Sequence, residues 1–173
     1  MIRIGVRAGL LGAIAAFVIE FLVLVPLAGQ CLVWIFNIAL WVGLGVLVAY
    51  WQPPHARTED LALGGAVAGF ISGLVGGLLG VLLVPILLLL FGGTAGMLRF
   101  LPPSFLAWYR DMGIAPEVLF SPTGLFLVMS LTCGLQLVLG PVISALSAVL
   151  LAPWLGPEEE YWEEDQGPYM LEW

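Results

Sequence analysis

Lysine is absent from this 173-residue sequence, histidine occurs once and cysteine twice. The five basic residues, Arg3, Arg7, Arg57, Arg99 and Arg110, are scattered along the chain. They make no basic patch, so there is no electrostatic footprint for nucleic acid. His55 lies in a polar stretch beside two prolines and has no second histidine to share a haem iron. The same shortage removes zinc, di-iron and Ser-His-Asp arrangements. Cys31 and Cys133 offer neither a disulfide framework nor zinc spacing, and read as small apolar fillers. The glycines lie inside apolar runs rather than between a strand and a Lys-bearing helix, so no phosphate loop is present. The chain therefore reads as a non-enzyme, with no catalytic residues, no metal and no assigned cofactor.

Charge is also scarce. Charged residues make up 10% and hydrophobic ones 61% of the chain, against about 25% and 45–50% in soluble domains. The net charge of −7 is concentrated, since six of the twelve acids lie between Glu158 and Asp165. A like-charge block of this kind stays solvated and extended. An anionic leaflet repels it, whereas Tyr161 and Trp162 inside it offer anchors for a basic partner.

What fills the chain is uninterrupted apolar sequence. A membrane-spanning helix needs about 20 apolar residues, and four stretches reach that length, at about 5–26, 31–51, 61–91 and 123–152. They are continuous rather than alternating, which excludes a strand barrel. The expected fold is an all-α integral membrane protein with a four-helix domain over 1–156 and an acidic tail over 157–173. Arg3 and Arg7 precede an apolar run too long for a signal peptide. Leu27-Ala28-Gly29-Gln30-Cys31 resembles a lipoprotein cleavage box but is interrupted by Gln30. The first run is thus read as a retained helix.

Arg3, Arg7 and Arg57 on one side of the spans, with Arg99 and Arg110 on the other, place both termini in the cytoplasm of a bacterial-type plasma membrane. Trp34 and Trp51 stand ~26 Å apart on a helix, a spacing suited to two headgroup boundaries. Pro26 and Gly29-Gln30 make a tight hairpin between the first two spans, and Pro53-Pro54 ends the second. Pro85 and Pro141 should bend the long third and fourth spans.

The outer connection, residues 92–123, is hydrophobic and rich in proline. Ser104 is expected to cap, and Gly113 to end, a short interfacial helix near 104–112. Phe105, Trp108, Tyr109 and Met112 share one of its faces, resting on the membrane surface or closing a lid over the bundle.

The third span carries Gly65, Gly69, Gly73 and Gly77 at every fourth position, a glycine zipper, with Gly76 and Gly80 starting a second ladder. Such stripes let helix backbones approach closely. The first span carries Gly5, Gly9, Gly12, Ala13 and Ala16, which predicts a parallel contact between the first and third helices through these faces. The alternative is that the stripe faces another subunit.

Intramembrane polar candidates are few. Glu20 lies roughly 9 Å below the outer boundary, where a charge costs somewhat less than the ~2.5–3.5 kcal/mol of mid-span. It must face protein, stay protonated or find a partner. Asn37, at similar depth across the hairpin, is a natural hydrogen-bond partner. Ser130 and Thr132 lie at comparable depth, and Arg99 is a candidate counter-ion. Gln136, Ser144 and Ser147 read as interhelical glue.

The expected function is a non-enzymatic accessory or scaffold subunit of a larger membrane complex, or a homo-oligomer. Its partners are membrane lipids and other membrane subunits or a second copy. The alternative is a small channel or transporter lined by Glu20, Asn37 and Gln136. The grooves beside the glycines also suit a bound lipid, quinone or pigment.

Overall fold

The computed structural model describes residues 2–24, 29–53 and 56–155. The expectations for Pro26, the His55 loop and the acidic tail lie outside the described residues. Seven α-helices occur among them: α1 (Ile2–Glu20), α2 (Gly29–Tyr50), α3 (Thr58–Leu90), α4 (Thr94–Phe100), α5 (Pro103–Asp111), α6 (Pro116–Leu119) and α7 (Pro122–Leu155). No strand occurs among the described residues. A single 3-10 turn, Phe21–Leu24, continues α1. Helices α1, α2, α3 and α7 are each long and apolar enough to cross a membrane, and they match the four expected spans to within a few residues. At 33 and 34 residues, α3 and α7 run ~50 Å, well beyond a ~30 Å hydrocarbon core. Both continue through internal prolines, Pro85 in α3 and Pro141 in α7.

Local chemistry sets the helix ends. Glu59 and Asp60 place negative charge in the first turn of α3, where the helix dipole is positive. Gly92 and Gly93 both take positive φ, 68° and 84°, and the amide of Gly93 closes back on the Leu88 carbonyl at 2.7 Å. Side chains rarely adopt that conformation, so this pair stops α3 and turns the chain into α4.

Round the bundle the order is α1, α3, α7, α2. Helices α1 and α3 run parallel in close contact, as expected, but the face of α3 differs from the expected one. A methyl group on Gly5 would stand 2.5 Å from the Gly64 carbonyl oxygen, and one on Gly9 would stand 3.2 Å from the Ala68 Cα. The α1 side therefore meets Gly64, Ala68 and Ser72. The ladder predicted to do this work turns onto α7 instead. A methyl on Gly65 would stand 2.6 Å from the Ser144 oxygen, one on Gly73 2.7 Å from the Gln136 oxygen, and one on Gly77 2.6 Å from the Cys133 Sγ. Gly69 meets Gly140 directly. The two stripes of α3 lie side by side, and one chain supplies a partner for each. Ala13, expected in the α1 seam, is only half-buried.

The apolar core is small and central: Trp41, Leu44, Val48, Ala8, Ala68 and Ala148. Large apolar side chains such as Ile14, Leu82, Leu89, Leu131 and Val138 are exposed on the outside of the spans. This distribution suits a protein whose solvent is lipid.

The expected outer loop holds three short helices rather than one. Helix α5 coincides with the predicted interfacial helix, but its start is set by Pro102 and Pro103, with no side-chain cap from Ser104. Gly113, at φ 77°, ends it as expected. The aromatic face divides. Phe105 and Tyr109 turn inward, and Trp108 and Met112 remain exposed.

Candidate functional site

Four helices meet at one buried polar centre. Glu20 is the last residue of α1, where the helix tightens into its 3-10 turn. Antiparallel α2 brings Asn37 to the same level, and α7 brings Gln136. Asn37 Nδ2 donates to Glu20 Oε1 at 3.3 Å, and Gln136 Nε2 donates to the same oxygen at 3.2 Å. The second length lies at the upper end of the usual range and the first just beyond it, so both bonds are long. Glu20, Asn37 and Gln136 are 3%, 2% and 2% exposed. The fourth helix, α3, contributes absence. Methyl groups on Gly76 and Gly80 would stand 3.3 Å from Glu20 Oε1 and 3.4 Å from Glu20 Oε2. A larger residue at either position would press on the carboxylate.

The Glu20–Asn37 bond is the one the hairpin predicted. Gln136 joins them across 116 residues of sequence, a contact that no local pattern announces. The other polar candidates lie elsewhere. Ser130 is exposed, and the Thr132 hydroxyl donates to the Val128 carbonyl of its own helix at 2.9 Å. Arg99 is exposed in the last turn of α4 and is not the counter-ion expected for Glu20. The ion pair among the described residues is Arg110–Glu117, at 2.9 Å between α5 and α6. There the backbone amide of Glu117 and the Arg110 guanidinium hold the Glu117 carboxyl below its ordinary range.

Three buried polar atoms have no partner among the described residues: Gln136 Oε1, Trp41 Nε1 and Ser144 Oγ. Trp41 was not singled out from the sequence, yet it is the largest fully buried side chain. Its Nε1 would stand 3.2 Å from a methyl on Gly140. The period-four series Gln136, Gly140, Ser144, Ala148 and Ala152, all buried on α7, was the available signal for this face.

Beyond the polar centre, toward α4–α6, lies a cavity of about 590 Å³. Trp34, Phe91, Phe100, Phe105, Tyr109 and Phe120 give it an aromatic lining, and Thr132 supplies a hydroxyl one helical turn from Gln136. Its size falls within the ~300–1,000 Å³ of small-molecule sites. Phe105 and Tyr109 line this cavity, while Trp108 and Met112 on the same helix are exposed.

Comparison of the chain with protein-family models, curated proteins and solved structures finds no match.

Proposed function

We propose that this protein is a non-enzymatic membrane subunit, a scaffold or accessory component of a larger membrane assembly or of a homo-oligomer, with both termini cytoplasmic. The observation that supports the reading is the use made of Glu20. The one deeply buried carboxylate among the described residues holds α1, α2 and α7 together over bare positions of α3. Tight backbone contacts on both stripes of α3 add rigidity. A subunit that presents fixed lipid-facing surfaces to neighbours needs this kind of frame. The test is extraction in mild detergent followed by pull-down and native mass measurement. A stoichiometric membrane partner, or a defined multiple of this chain, supports the reading. A monodisperse monomer without partners overturns it.

A second reading, a small channel or transporter, draws on the unpartnered atoms of Gln136, Trp41 and Ser144 in the bundle interior. Ion or solute flux from the purified chain in liposomes, lost in Glu20→Gln, supports it.

A further inference from the structure

The cavity under α4–α6 starts at Thr132, one helical turn past Gln136, and reaches Leu125, ~16 Å along α7 from Gln136. Over the same stretch Leu127 and Leu131 are exposed on the outside of α7, as suits a helix with lipid for solvent. The cavity is open rather than sealed. Phe100 of α4, Ile114 and Val128 of α7 both line it and are exposed. A molecule dissolved in the bilayer can therefore enter it.

The lining selects what enters. None of the described lining residues is an acid or a base, and Arg110 is held by Glu117. A phosphate, carboxylate or ammonium inside would stand without a compensating charge, so a charged lipid headgroup does not fit. What the lining supplies is aromatic. Six of its sixteen described residues are aromatic, against 12% of the chain. Trp34 comes from α2, Phe91 from the end of α3, Phe100 from α4, Phe105 and Tyr109 from α5, and Phe120 from the end of α6. Five separate segments thus converge with rings, where the leucines that fill the rest of the chain would close an apolar gap equally well. Phe91 and Phe100 meet edge-on at 5.2 Å, and Tyr109 meets Phe105 at 4.9 Å and Phe120 at 6.5 Å in the same way. Rings prefer such edge-to-face contacts or offset stacking, so the lining suits a flat ring better than a flexible chain.

Polar atoms define the ring further. Trp34 carries an indole N–H and Tyr109 a phenol O–H. The Thr132 hydroxyl already donates to the Val128 carbonyl at 2.9 Å, so its oxygen is left to accept. Free N–H and O–H donors pair with carbonyl oxygens. We propose that this cavity binds an uncharged, bilayer-dissolved lipophile whose flat ring bears carbonyl oxygens, the quinone class, with its apolar tail leaving toward lipid. A volume of about 590 Å³ holds the ring and the start of the tail. Binding stands whether the chain serves as a scaffold or as a transporter.

The experiment is thermal unfolding of the full purified chain in detergent, titrated with three probes that share a decyl tail. Decylubiquinone carries a ring and carbonyls, and its fully substituted ring resists addition of the Cys31 and Cys133 thiols. Decylbenzene carries the ring alone, and methyl decyl ketone a carbonyl without a ring. A saturable rise in Tm is expected with decylubiquinone, because a ligand bound only to the folded state stabilises it by mass action. The other two probes should give no saturable rise over the same range. Met129→Trp places an indole in the cavity and should abolish the rise. Ile114→Trp, from another wall, does so where Met129→Trp fails to fold. Val138→Trp, on the lipid-facing outside of α7, should keep it. The absence of a saturable rise with decylubiquinone overturns the proposal. Equal responses to the three probes also overturn it, since they report partition into the micelle, as does a rise unchanged in the cavity variants.

Discussion

Gly69 and Gly140 meet backbone to backbone across the α3–α7 seam. A methyl on Gly140 would stand 2.7 Å from the Gly69 carbonyl oxygen, and one on Gly69 would fall on the Gly140 carbonyl. A main chain cannot swing aside as a side chain can. Gly69→Ala should therefore force the two helices apart and lower the unfolding midpoint severely, whereas Gly134→Ala faces open space. The second change should be neutral or stabilising by up to ~1 kcal/mol, because alanine favours helix over glycine. Denaturation with sodium dodecyl sulfate in mixed micelles, followed by circular dichroism, compares the two. Equal midpoints would mean that the seam is loose.

This seam also marks where the sequence stopped being legible. Hydropathy and length alone located the spans, because lipid forces each run to satisfy its own backbone. The glycines announced close packing but not a partner. On a helix, Gly65/Gly69/Gly73/Gly77 and Gly64/Ala68/Ser72/Gly76 are adjacent stripes offset by one residue, and depth cannot say which stripe faces which neighbour. The same holds for the polar centre. Glu20–Asn37 follows from a tight antiparallel hairpin. Gln136 arrives from a helix whose rotation only the assembled bundle determines.

The polar centre should respond differently to isosteric and apolar substitution. Glu20→Gln keeps an oxygen where Asn37 and Gln136 donate, so the bundle should retain nearly its full stability. Glu20→Leu strands both amides. Each lost interhelical bond is worth about 0.6 kcal/mol, and each buried donor left unpaired costs about 1–3 kcal/mol. Melting curves of the two variants in one detergent give the contrast. A Glu20→Leu protein as stable as the parent would show that the carboxylate holds nothing together.

The α5–α6 contact carries the pH prediction. The folded-state pKa of Glu117 is depressed, first by its own backbone amide and then by Arg110. A depressed carboxylate contributes stability above its unfolded pKa and loses it as pH falls through the folded value. The local anchoring of α6 should therefore weaken on acidification below the ordinary carboxylate range and be unchanged above it. The pair is exposed, so global stability should scarcely move. Carbon-detected NMR titration of the Glu117 carboxyl reads the value directly. Arg110→Gln should raise it only part of the way, since the backbone amide remains. No movement in that variant would remove Arg110 from the account.

Trp41 separates packing from hydrogen bonding at the bundle centre. Its indole is 1% exposed, rests edge-on against Trp34 at 6.4 Å, and has no partner for Nε1 among the described residues. Phenylalanine keeps a ring in the gap opposite Gly140 and removes the unpaired N–H, so only the lost volume counts against it. Alanine empties the site. By analogy with cores of soluble proteins, Trp41→Ala should cost about 3–5 kcal/mol, and Trp41→Phe well under half of that. If Trp41→Phe proves as damaging as Trp41→Ala, the indole N–H is held by a group such as a bound water. The interior would then be wet along the line from Gln136 to Ser144. Neutron diffraction or water-edited NMR at the indole proton distinguishes a wet N–H from a dry one.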